Sequence, residues 1–346
     1  MAWVETFLIY GRLYVNMAKL GYLRGKTVLV TGGTGTFGQA FVKKLLKESR
    51  AKKIIIFSRD EFKQHEMQRD LASDLSRLRF FIGDIRDLPR LQRAFVGVDM
   101  VVHAAALKQV PAIEYNPFEA VKTNILGSQN VIEAALDNNV DRVLLISSDK
   151  AVQPINLYGA TKLAAERLFI AGNVYGGDTK RTKFSVVRYG NVIGSRGSLI
   201  EMIEKQKKTG VIKLTDDRMT RFWIPIDKVL DIILEILPKM EGGELFVPKM
   251  KSMLVLDVIK YMAPECDIEV IGIRPGEKLH EVLITEHEAK RTKDVGSAFA
   301  IKPENHFHAD KIKWLRKHPS VNPELNYASN HKDFLVPPKR AKEILK

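Results

Sequence analysis

The chain has 346 residues, 45% hydrophobic and 28% charged, which is ordinary for a globular protein with a sizeable core. No stretch approaches the ~20 apolar residues of a membrane helix, so no membrane partner is expected. The formal net charge of +14 would suit nucleic acid, but no zinc-finger spacing or aromatic-rich basic motif accompanies it. A basic enzyme with polyanionic small ligands explains the charge equally well, and no nucleic-acid partner is predicted.

The single cysteine, Cys266, excludes an internal disulfide and is consistent with a reducing compartment. The segment 1–16 lacks the basic region and the small-residue cleavage site of a secretory signal, so we treat it as a tail of unknown role. A cytoplasmic location is therefore expected.

Short apolar runs alternate with helical patterns through the first half of the chain. Continuous apolar strands of this kind are typical of a parallel sheet that helices cover on both faces. The sequence therefore predicts an α/β protein with a Rossmann-type, doubly wound parallel sheet. Strands are predicted at 26–31, 53–57, 79–82, 99–103, 142–147 and 184–188, and helices at 39–49, 61–75, 91–95, 117–138 and 160–171.

The pattern loosens after Tyr189. Two further helices are predicted, at 198–208 and 226–237, and the segment from Glu286 onward reads as polar and irregular. We expect a dinucleotide-binding domain followed by a smaller C-terminal substrate-binding lobe. The predicted division places 24–190, with about 222–248 added, in the domain, and 191–221 with 249–346 in the lobe.

A glycine-rich loop follows the first predicted strand and opens the first helix. Gly32, Gly35 and Gly38 have the spacing and the strand–loop–helix context of a dinucleotide-binding loop. Pyrophosphate must approach backbone N–H groups at the helix N-terminus, and side chains would block that approach. The predicted cofactor contacts in this loop are Gly32, Thr34, Gly35, Thr36, Phe37 and Gly38.

The end of the second predicted strand indicates which dinucleotide is bound. An acid there would hold the ribose 2′-hydroxyl of NAD, whereas this strand ends in Ser58 and Arg59, which suit the 2′-phosphate of NADP. Acidic residues 60–61 follow directly, but NADP is favoured. The remaining predicted cofactor contacts are Lys63, Asp84, Ile85, Ala104 and Ala105. Asp84 and Ile85 are expected near the adenine, where a plain turn is the alternative, and Ala104 and Ala105 near the nicotinamide ribose.

Tyr158 and Lys162 are four residues apart at a helix start, which places them on one face. The ordinary pKa of tyrosine is ~10, and a nearby lysine with a positive nicotinamide would favour the phenolate that a base requires. Ser148, Asp149 and Lys150 follow the fifth predicted strand, at the edge where ligands bind. The added acid and lysine indicate a second proton transfer, such as elimination of water, and a surface ion pair is the alternative. No metal site is predicted.

These motifs together resemble the inverting UDP-N-acetylglucosamine 4,6-dehydratases of pseudaminic-acid biosynthesis, in the extended short-chain dehydrogenase/reductase superfamily. The resemblance runs from about Gly25 to Leu283. Two positions depart from the family pattern, since Ser148 replaces a threonine and Gln109 replaces a histidine. The matching segments are 31–38, 58–61, 83–87, 103–108, 114–117, 149–151, 156–162, 188–192, 194–198, 219–223 and 274–281.

The resemblance implies dehydration of UDP-N-acetylglucosamine with inversion at C5. Tyr158, with Lys162, would take the proton of the 4-hydroxyl while hydride leaves C4 for NADP. Lys150 would then remove the C5 proton and Asp149 would help the 6-hydroxyl leave, before hydride returns to C6. Because a base must be neutral, we expect a lowered pKa for Lys150. The implied substrate contacts are Lys108, Lys150, Asn191, Thr215, Arg274 and Glu277.

Other functions stay open at this point. A nucleotide-sugar 4-epimerase uses the same fold and the same tyrosine–lysine pair, and the product would distinguish it. A dehydratase could feed another amino sugar, such as L-fucosamine, and a dinucleotide-sensing regulator could share the scaffold. We also expect a homo-oligomer, and Arg221 could serve either the substrate or a salt bridge.

Overall fold

The strands of this computed structural model, which describes residues 20–175, 177, 182–195, 197–304 and 312–345, follow the apolar runs of the sequence. The predicted tail at 1–16 lies outside the described residues. The strands are β1 Thr27–Thr31, β2 Lys53–Ser58, β3 Leu78–Ile82, β4 Met100–His103, β5 Arg142–Ile146, β6 Lys183–Val187, β7 Asn191–Ile193, β8 Val211–Leu214, β9 Thr220–Pro225, β10 Leu245–Pro248, β11 Lys251–Leu254, β12 Asp267–Val270, β13 Val282–Ile284, β14 Thr292–Asp294, β15 Ala298–Ile301 and β16 Tyr327–Ala328.

The helices occupy the intervals between these strands. Within the described ranges, no helix combines the length and the apolar character that a membrane span needs. The α-helices are α1 Thr36–Glu48, α2 Glu61–Asp70, α3 Leu88–Phe95, α4 Val110–Tyr115, α5 Pro117–Ala120, α6 Gly127–Asp137, α7 Leu157–Tyr175, α8 Leu199–Lys207, α9 Ile226–Ile236, α10 Val255–Met262, α11 Glu286–Ala289 and α12 Ala341–Leu345.

Nine strands form the main sheet, in the order β14-β15-β10-β6-β5-β4-β1-β2-β3. The strands from β10 to β3 pair in parallel, and β15 and β14 add antiparallel at one edge. The strand order reverses at β1, which pairs with β2 on one side and β4 on the other. In a doubly wound sheet, ligands bind beside the carboxyl ends of the strands at this switch point. The predicted fold class is confirmed.

The strands of the main sheet are buried, as continuous apolar runs predict. Val28, Val30 and Ile56 are at most 1% exposed, and they share one core with Phe41 of α1 and Val229 of α9. Burial of each such side chain contributes roughly 1.5–3 kcal/mol to folding. This core holds the carboxyl ends of the strands, and therefore the loops that follow them, in fixed positions.

The remaining strands form three small sheets. One has the order β11-β9-β7, β12 pairs with β8, and β13 pairs with β16. A second core lies among these elements and includes Ile203, Leu214 and Val258. We name residues 191–225 and 249–284 the lobe.

The segment after Glu286 differs from the prediction of an irregular tail. It contains β14 and β15, which extend the main sheet through pairing of β15 with β10. This part of 249–346 is therefore continuous with the main sheet rather than with the lobe. The residues of β15 are at most 9% exposed. Periodicity cannot distinguish a buried strand from another apolar segment when the run has only four residues.

The helix predicted at 117–138 is interrupted by a π-helical turn at Val121–Leu126, between α5 and α6. Asn124 in this turn is buried, and its side chain bonds both backbone groups of Leu107. The amide of Leu107 donates to Oδ1 at 2.8 Å, and Nδ2 donates to the Leu107 carbonyl at 2.9 Å. π-Helical turns are frequent at functional sites, and this one fixes the backbone immediately before Lys108.

Candidate active site

A cavity of about 920 Å³ lies between the carboxyl ends of the parallel strands and the lobe. It brings the predicted cofactor contacts and the predicted substrate contacts into one space. Asp149 is a predicted site residue that does not line it and is 1% exposed. The predicted residues in its wall are Gly32, Thr34, Gly35, Thr36, Phe37, Gly38, Ser58, Arg59, Lys63, Asp84, Ile85, Ala104, Ala105, Lys108, Ser148, Lys150, Tyr158, Lys162, Asn191, Thr215, Arg274 and Glu277.

The glycine loop connects β1 to α1 and packs against the segment after β4. Gly32 has φ +66°, and a Cβ on it would lie 2.9 Å from the Cα of Ala105. A Cβ on Gly38 would lie 2.5 Å from the carbonyl oxygen of Gly32. Gly35 is the N-cap residue of α1, so the first turn of the helix and the positive end of its dipole lie at the cavity wall. This arrangement fits the pyrophosphate of a dinucleotide.

The residues predicted to hold a 2′-phosphate lie together at the end of β2. Arg59 is half exposed, and its Nη1 lies 3.5 Å from Oδ2 of Asp84. Nζ of Lys63 lies 2.6 Å from Oδ2 of Asp60. Ser58 is buried, and its hydroxyl accepts a hydrogen bond from a glutamine of α2. The carboxylates partly neutralise both cations, but the guanidinium of Arg59 stays accessible to an incoming phosphate.

Tyr158 and Lys162 lie on the first turns of α7. Lys162 is 5% exposed, and its Nζ donates to the carbonyl of Ile146 at 2.6 Å. Burial lowers the pKa of Lys162 to about 8. Burial raises the pKa of Tyr158, and the charge of Lys150 and a hydrogen bond with Ser148 oppose that shift. A nearby lysine therefore favours the phenolate of Tyr158 as expected, although this lysine is Lys150 and burial outweighs its charge.

Lys150 extends into the cavity from the turn after β5, and its ammonium lies between two buried carboxylates. Its Nζ is 3.0 Å from Oδ1 of Asp149 and 3.5 Å from Oε1 of Glu281. Burial lowers the pKa of Lys150, but the two carboxylates outweigh burial and hold this pKa above its usual range. The lowered pKa that we expected for Lys150 is therefore wrong. The pattern around Asp149 gave no indication that a second carboxylate, 131 positions away in the chain, would approach the same ammonium.

The predicted substrate contacts Arg274 and Glu277 share a turn after β12, in which the amide of Glu277 donates to the carbonyl of Arg274 at 3.1 Å. Gly276 in this turn has φ +77°. Asn156 donates to the carbonyl of Gly276 at 2.7 Å. Because Asn156 directly precedes α7, this bond places the turn beside Tyr158.

The other predicted substrate contacts also reach the cavity from separate elements. Asn191 begins β7, and Thr215 follows β8 with its hydroxyl 3.6 Å from Sδ of Met219. Lys108 follows the segment that Asn124 fixes, and burial lowers its pKa. The lobe and the main sheet therefore both contribute to the wall predicted to receive a nucleotide sugar.

The charged residues Lys278 and Glu281 of the wall had no assigned role, and the role of Arg221 was left open. Lys278 and Glu281 belong to the matching segment 274–281, which could have singled them out, but nothing local shows that they reach Lys150. Arg221 is 6% exposed, and its guanidinium donates to the carbonyls of Leu279 and Lys278 at 3.0 and 2.8 Å. Arg221 therefore stabilises the lobe through these hydrogen bonds, and it also lines the cavity.

Known proteins are similar to this chain in sequence and in fold. The sequence model of a family described as "Polysaccharide biosynthesis protein" matches residues 28–303. The chain belongs to this family. The UDP-N-acetylglucosamine 4,6-dehydratase (inverting) of Campylobacter jejuni subsp. jejuni serotype O:23/36 (strain 81-176) is 48% identical over 281 residues, which cover 81% of this chain and 83% of that protein. The resemblance found in the sequence is confirmed.

Two further members of this group of similar proteins bear on the function and the fold. The UDP-glucose 4-epimerase of Rickettsia conorii is 40% identical over 284 residues, covering 80% of this chain and 82% of that protein. The structure of Pen from Bacillus thuringiensis has a TM-score of 0.84 at 35% identity, and the match covers 94% of this chain and 98% of that one. Proteins similar to this chain therefore carry two different names, a dehydratase and an epimerase. The residues of the site are needed to distinguish these activities.

The glycine loop gives a direct test of dinucleotide binding. In Gly38→Ala, the new Cβ would meet backbone atoms that can move only if the loop opens. We expect the affinity for NADP, measured by titration calorimetry, to fall by roughly tenfold or more, about 1.4 kcal/mol. Gly21→Ala is the matched control, because its Cβ would have open space. Equal NADP affinities for Gly38→Ala and the wild type would contradict the assignment.

Proposed function

We propose that this protein catalyses the NADP-dependent 4,6-dehydration of UDP-N-acetylglucosamine with inversion at C5. The product would be a UDP-4-keto-6-deoxy-L-sugar for a bacterial surface glycan or for pseudaminic acid. The observation that carries this proposal is that Lys150, which lines the same cavity as Tyr158 and Lys162, contacts the carboxylates of Asp149 and Glu281. Oxidation and reduction at one carbon need only the tyrosine and the lysine, whereas elimination of water also needs a second acid–base group.

A nicotinamide dinucleotide suits the residues that are present. The N-terminus of α1 would hold the pyrophosphate, Asp84 and Ile85 would adjoin the adenine, and Ala104 and Ala105 would allow close approach of the nicotinamide ribose. When bound, this cofactor supplies an acceptor for hydride from C4 and a donor of hydride to C6. We propose NADP rather than NAD because the exposed residue that follows β2 is an arginine rather than an acid.

In the first half of the reaction, Tyr158 takes the proton of the sugar 4-hydroxyl. Burial opposes formation of the phenolate, so the nearby cation Lys150 and the hydrogen bond with Ser148 must stabilise it. The hydroxyl of Ser148 contacts both Tyr158 and Asp149, at 2.8 Å from Oδ1 of the latter. Ser148 therefore links the oxidation group to the elimination group.

In the second half, Lys150 removes the C5 proton. Because Lys150 rests as an ammonium, it first passes a proton to Asp149, breaking an N–H bond as an O–H bond forms over the 3.0 Å contact. The neutral amine then accepts the C5 proton, and the electron pair of the C5–H bond enters the enolate. The enolate expels the 6-hydroxyl as water, with the proton of Asp149 delivered through Ser148, which lines the cavity.

A 4-epimerase is the second candidate, because a protein of that name is 40% identical to this chain. It would require Tyr158 and Lys162 but not the proton relay of Asp149 and Lys150. The intact tyrosine and lysine also argue against a regulator that only senses the dinucleotide. We favour the dehydratase because Lys150 lines the cavity together with Tyr158 and contacts Asp149 at 3.0 Å.

The remaining assignments follow from the same scheme. We assign the dinucleotide to 24–190 with 226–248, because β9 (Thr220–Pro225) pairs within the lobe, and the UDP-sugar to the lobe. The family description supports a role in glycan synthesis. The single cysteine supports a cytoplasmic location. A homo-oligomer stays a prediction.

Replacing Lys150 tests the elimination step. With UDP-N-acetylglucosamine as substrate, we expect the wild type to form a 4-keto-6-deoxy sugar that NMR identifies. Lys150→Ala should slow its formation by roughly 10²–10⁴-fold, because the C5 base is lost, while NADP still binds. Lys260→Ala, on the exposed face of α10, is the matched control. Unchanged turnover in Lys150→Ala would refute the assignment, and an epimer as the wild-type product would favour the second candidate.

Arg59 tests the choice of cofactor. Arg59→Ala removes the cation proposed to pair with the 2′-phosphate, so NADP affinity should fall by roughly tenfold to 100-fold while NAD affinity stays nearly constant. Titration of both dinucleotides measures this difference. Arg69→Ala, on the exposed end of α2, is the control. An equal loss for NADP and NAD, or no loss, would contradict the NADP proposal.

A further inference from the structure

Glu281 is a buried carboxylate of the cavity wall that the scheme above does not use. It is 2% exposed, and three cations converge on it. Nζ of Lys150 lies 3.5 Å and Nε of Arg221 lies 3.9 Å from Oε1, and Nζ of Lys278 lies 3.8 Å from Oε2. Within the described ranges, Oε2 has no hydrogen-bond partner. A carboxylate buried in this way is costly unless nearby charges compensate, so the surrounding cations are what keep it in place.

The backbone of Glu281 is fixed independently of those cations. Its amide donates to Oγ of Ser329 at 2.9 Å, and its carbonyl accepts from the amide of Ser329 at 2.8 Å. Oγ of Ser329 is also 2.6 Å from Oγ1 of Thr220, at the start of β9. These hydrogen bonds fix the backbone from which the carboxylate of Glu281 reaches Lys150. This backbone belongs to a part of the chain distant from Asp149.

We infer that Glu281 is a positioning residue for Lys150, whose ammonium it holds in the cavity and whose release of a proton it controls. The inference rests on the proposed function, because it concerns the step in which Lys150 becomes the base at C5. It assigns Glu281 no contact with the substrate.

The balance of charge around Lys150 explains why one carboxylate is insufficient. Asp149 and Glu281 favour the ammonium, and the nearby cations disfavour it. Without Glu281, Asp149 alone would face those cations. The groups that act on Lys150 from the surrounding elements are Asp149, Glu281, Tyr158, Lys108, Arg221 and Lys278.

This arrangement has two opposite consequences for an elimination. When the carboxylates hold the ammonium of Lys150 more firmly, the neutral amine left after loss of a proton is a stronger base. A smaller fraction of Lys150 is then neutral at a given pH. Removing the charge of Glu281 should therefore let Lys150 pass its proton to Asp149 more readily, lower the pH at which the pair loses that proton, and weaken the neutral amine as a base. A carboxylate that merely supported the fold would produce no such change in the pH dependence.

The test is the pH profile of the full-length enzyme, with NADP and UDP-N-acetylglucosamine, for the wild type, Glu281→Asp and Glu281→Gln. The scheme needs the one proton that Lys150 and Asp149 share, so product formation should fall where high pH removes it. In Glu281→Gln the midpoint of that fall should be about 1–2 pH units lower. The plateau at lower pH should be roughly threefold to tenfold higher, because the gain in neutral amine exceeds the loss of base strength. Glu281→Asp keeps the charge at a greater distance, so its midpoint should lie between the other two. Glu265→Gln, exposed and outside the cavity wall, should match the wild type.

A second measurement needs no turnover. In protein with ¹³C-labelled lysine Cε, the signal that disappears in Lys150→Gln belongs to Lys150, and it should titrate at a lower pH in Glu281→Gln than in the wild type. A lower plateau with an unchanged midpoint, or an unchanged Lys150 titration, would overturn the inference. If the wild type forms no 4-keto-6-deoxy sugar, the proposed function fails, and the titration still decides whether Glu281 controls the charge of Lys150.

Discussion

An ammonium in the cavity wall, between two buried carboxylates, joins the two sides of the cavity. Lys150 and Asp149 follow the carboxyl end of β5, and Glu281 precedes β13, so the contact connects the main sheet to the lobe. A buried charge that loses its partner costs several kcal/mol. The cavity therefore keeps its shape only when both sides are in place. The bond from Asn156 to the turn at Gly276 reinforces the same junction beside Tyr158.

The sequence predicted the main sheet well because each strand is a continuous apolar run between recognisable turns. The glycine loop was equally clear, since the spacing of Gly32, Gly35 and Gly38 reflects a backbone requirement that is local. The strand β15 was missed because a four-residue run lacks a usable period. It is identified only by its pairing with β10, which is a tertiary contact.

The positions of the site residues could be predicted from the sequence, but their electrostatic environment could not. All but one of the predicted site residues line the cavity, because short motifs at strand ends determine where side chains emerge. The expected direction of the pKa shift of Lys150 was wrong, because a carboxylate distant in the chain helps to set it. Glu281 acts on Lys150 from 131 positions away, and no local pattern could reveal that distance of 3.5 Å.

The central claim is that hydride moves from C4 to C6 of one sugar while C5 exchanges its proton. The most direct measurement follows UDP-N-acetylglucosamine deuterated at C4 through one conversion in ordinary water, with the product analysed by NMR. The account predicts deuterium at C6, a proton at an inverted C5 and a ketone at C4. Deuterium retained at C4 of an epimerised sugar would contradict it.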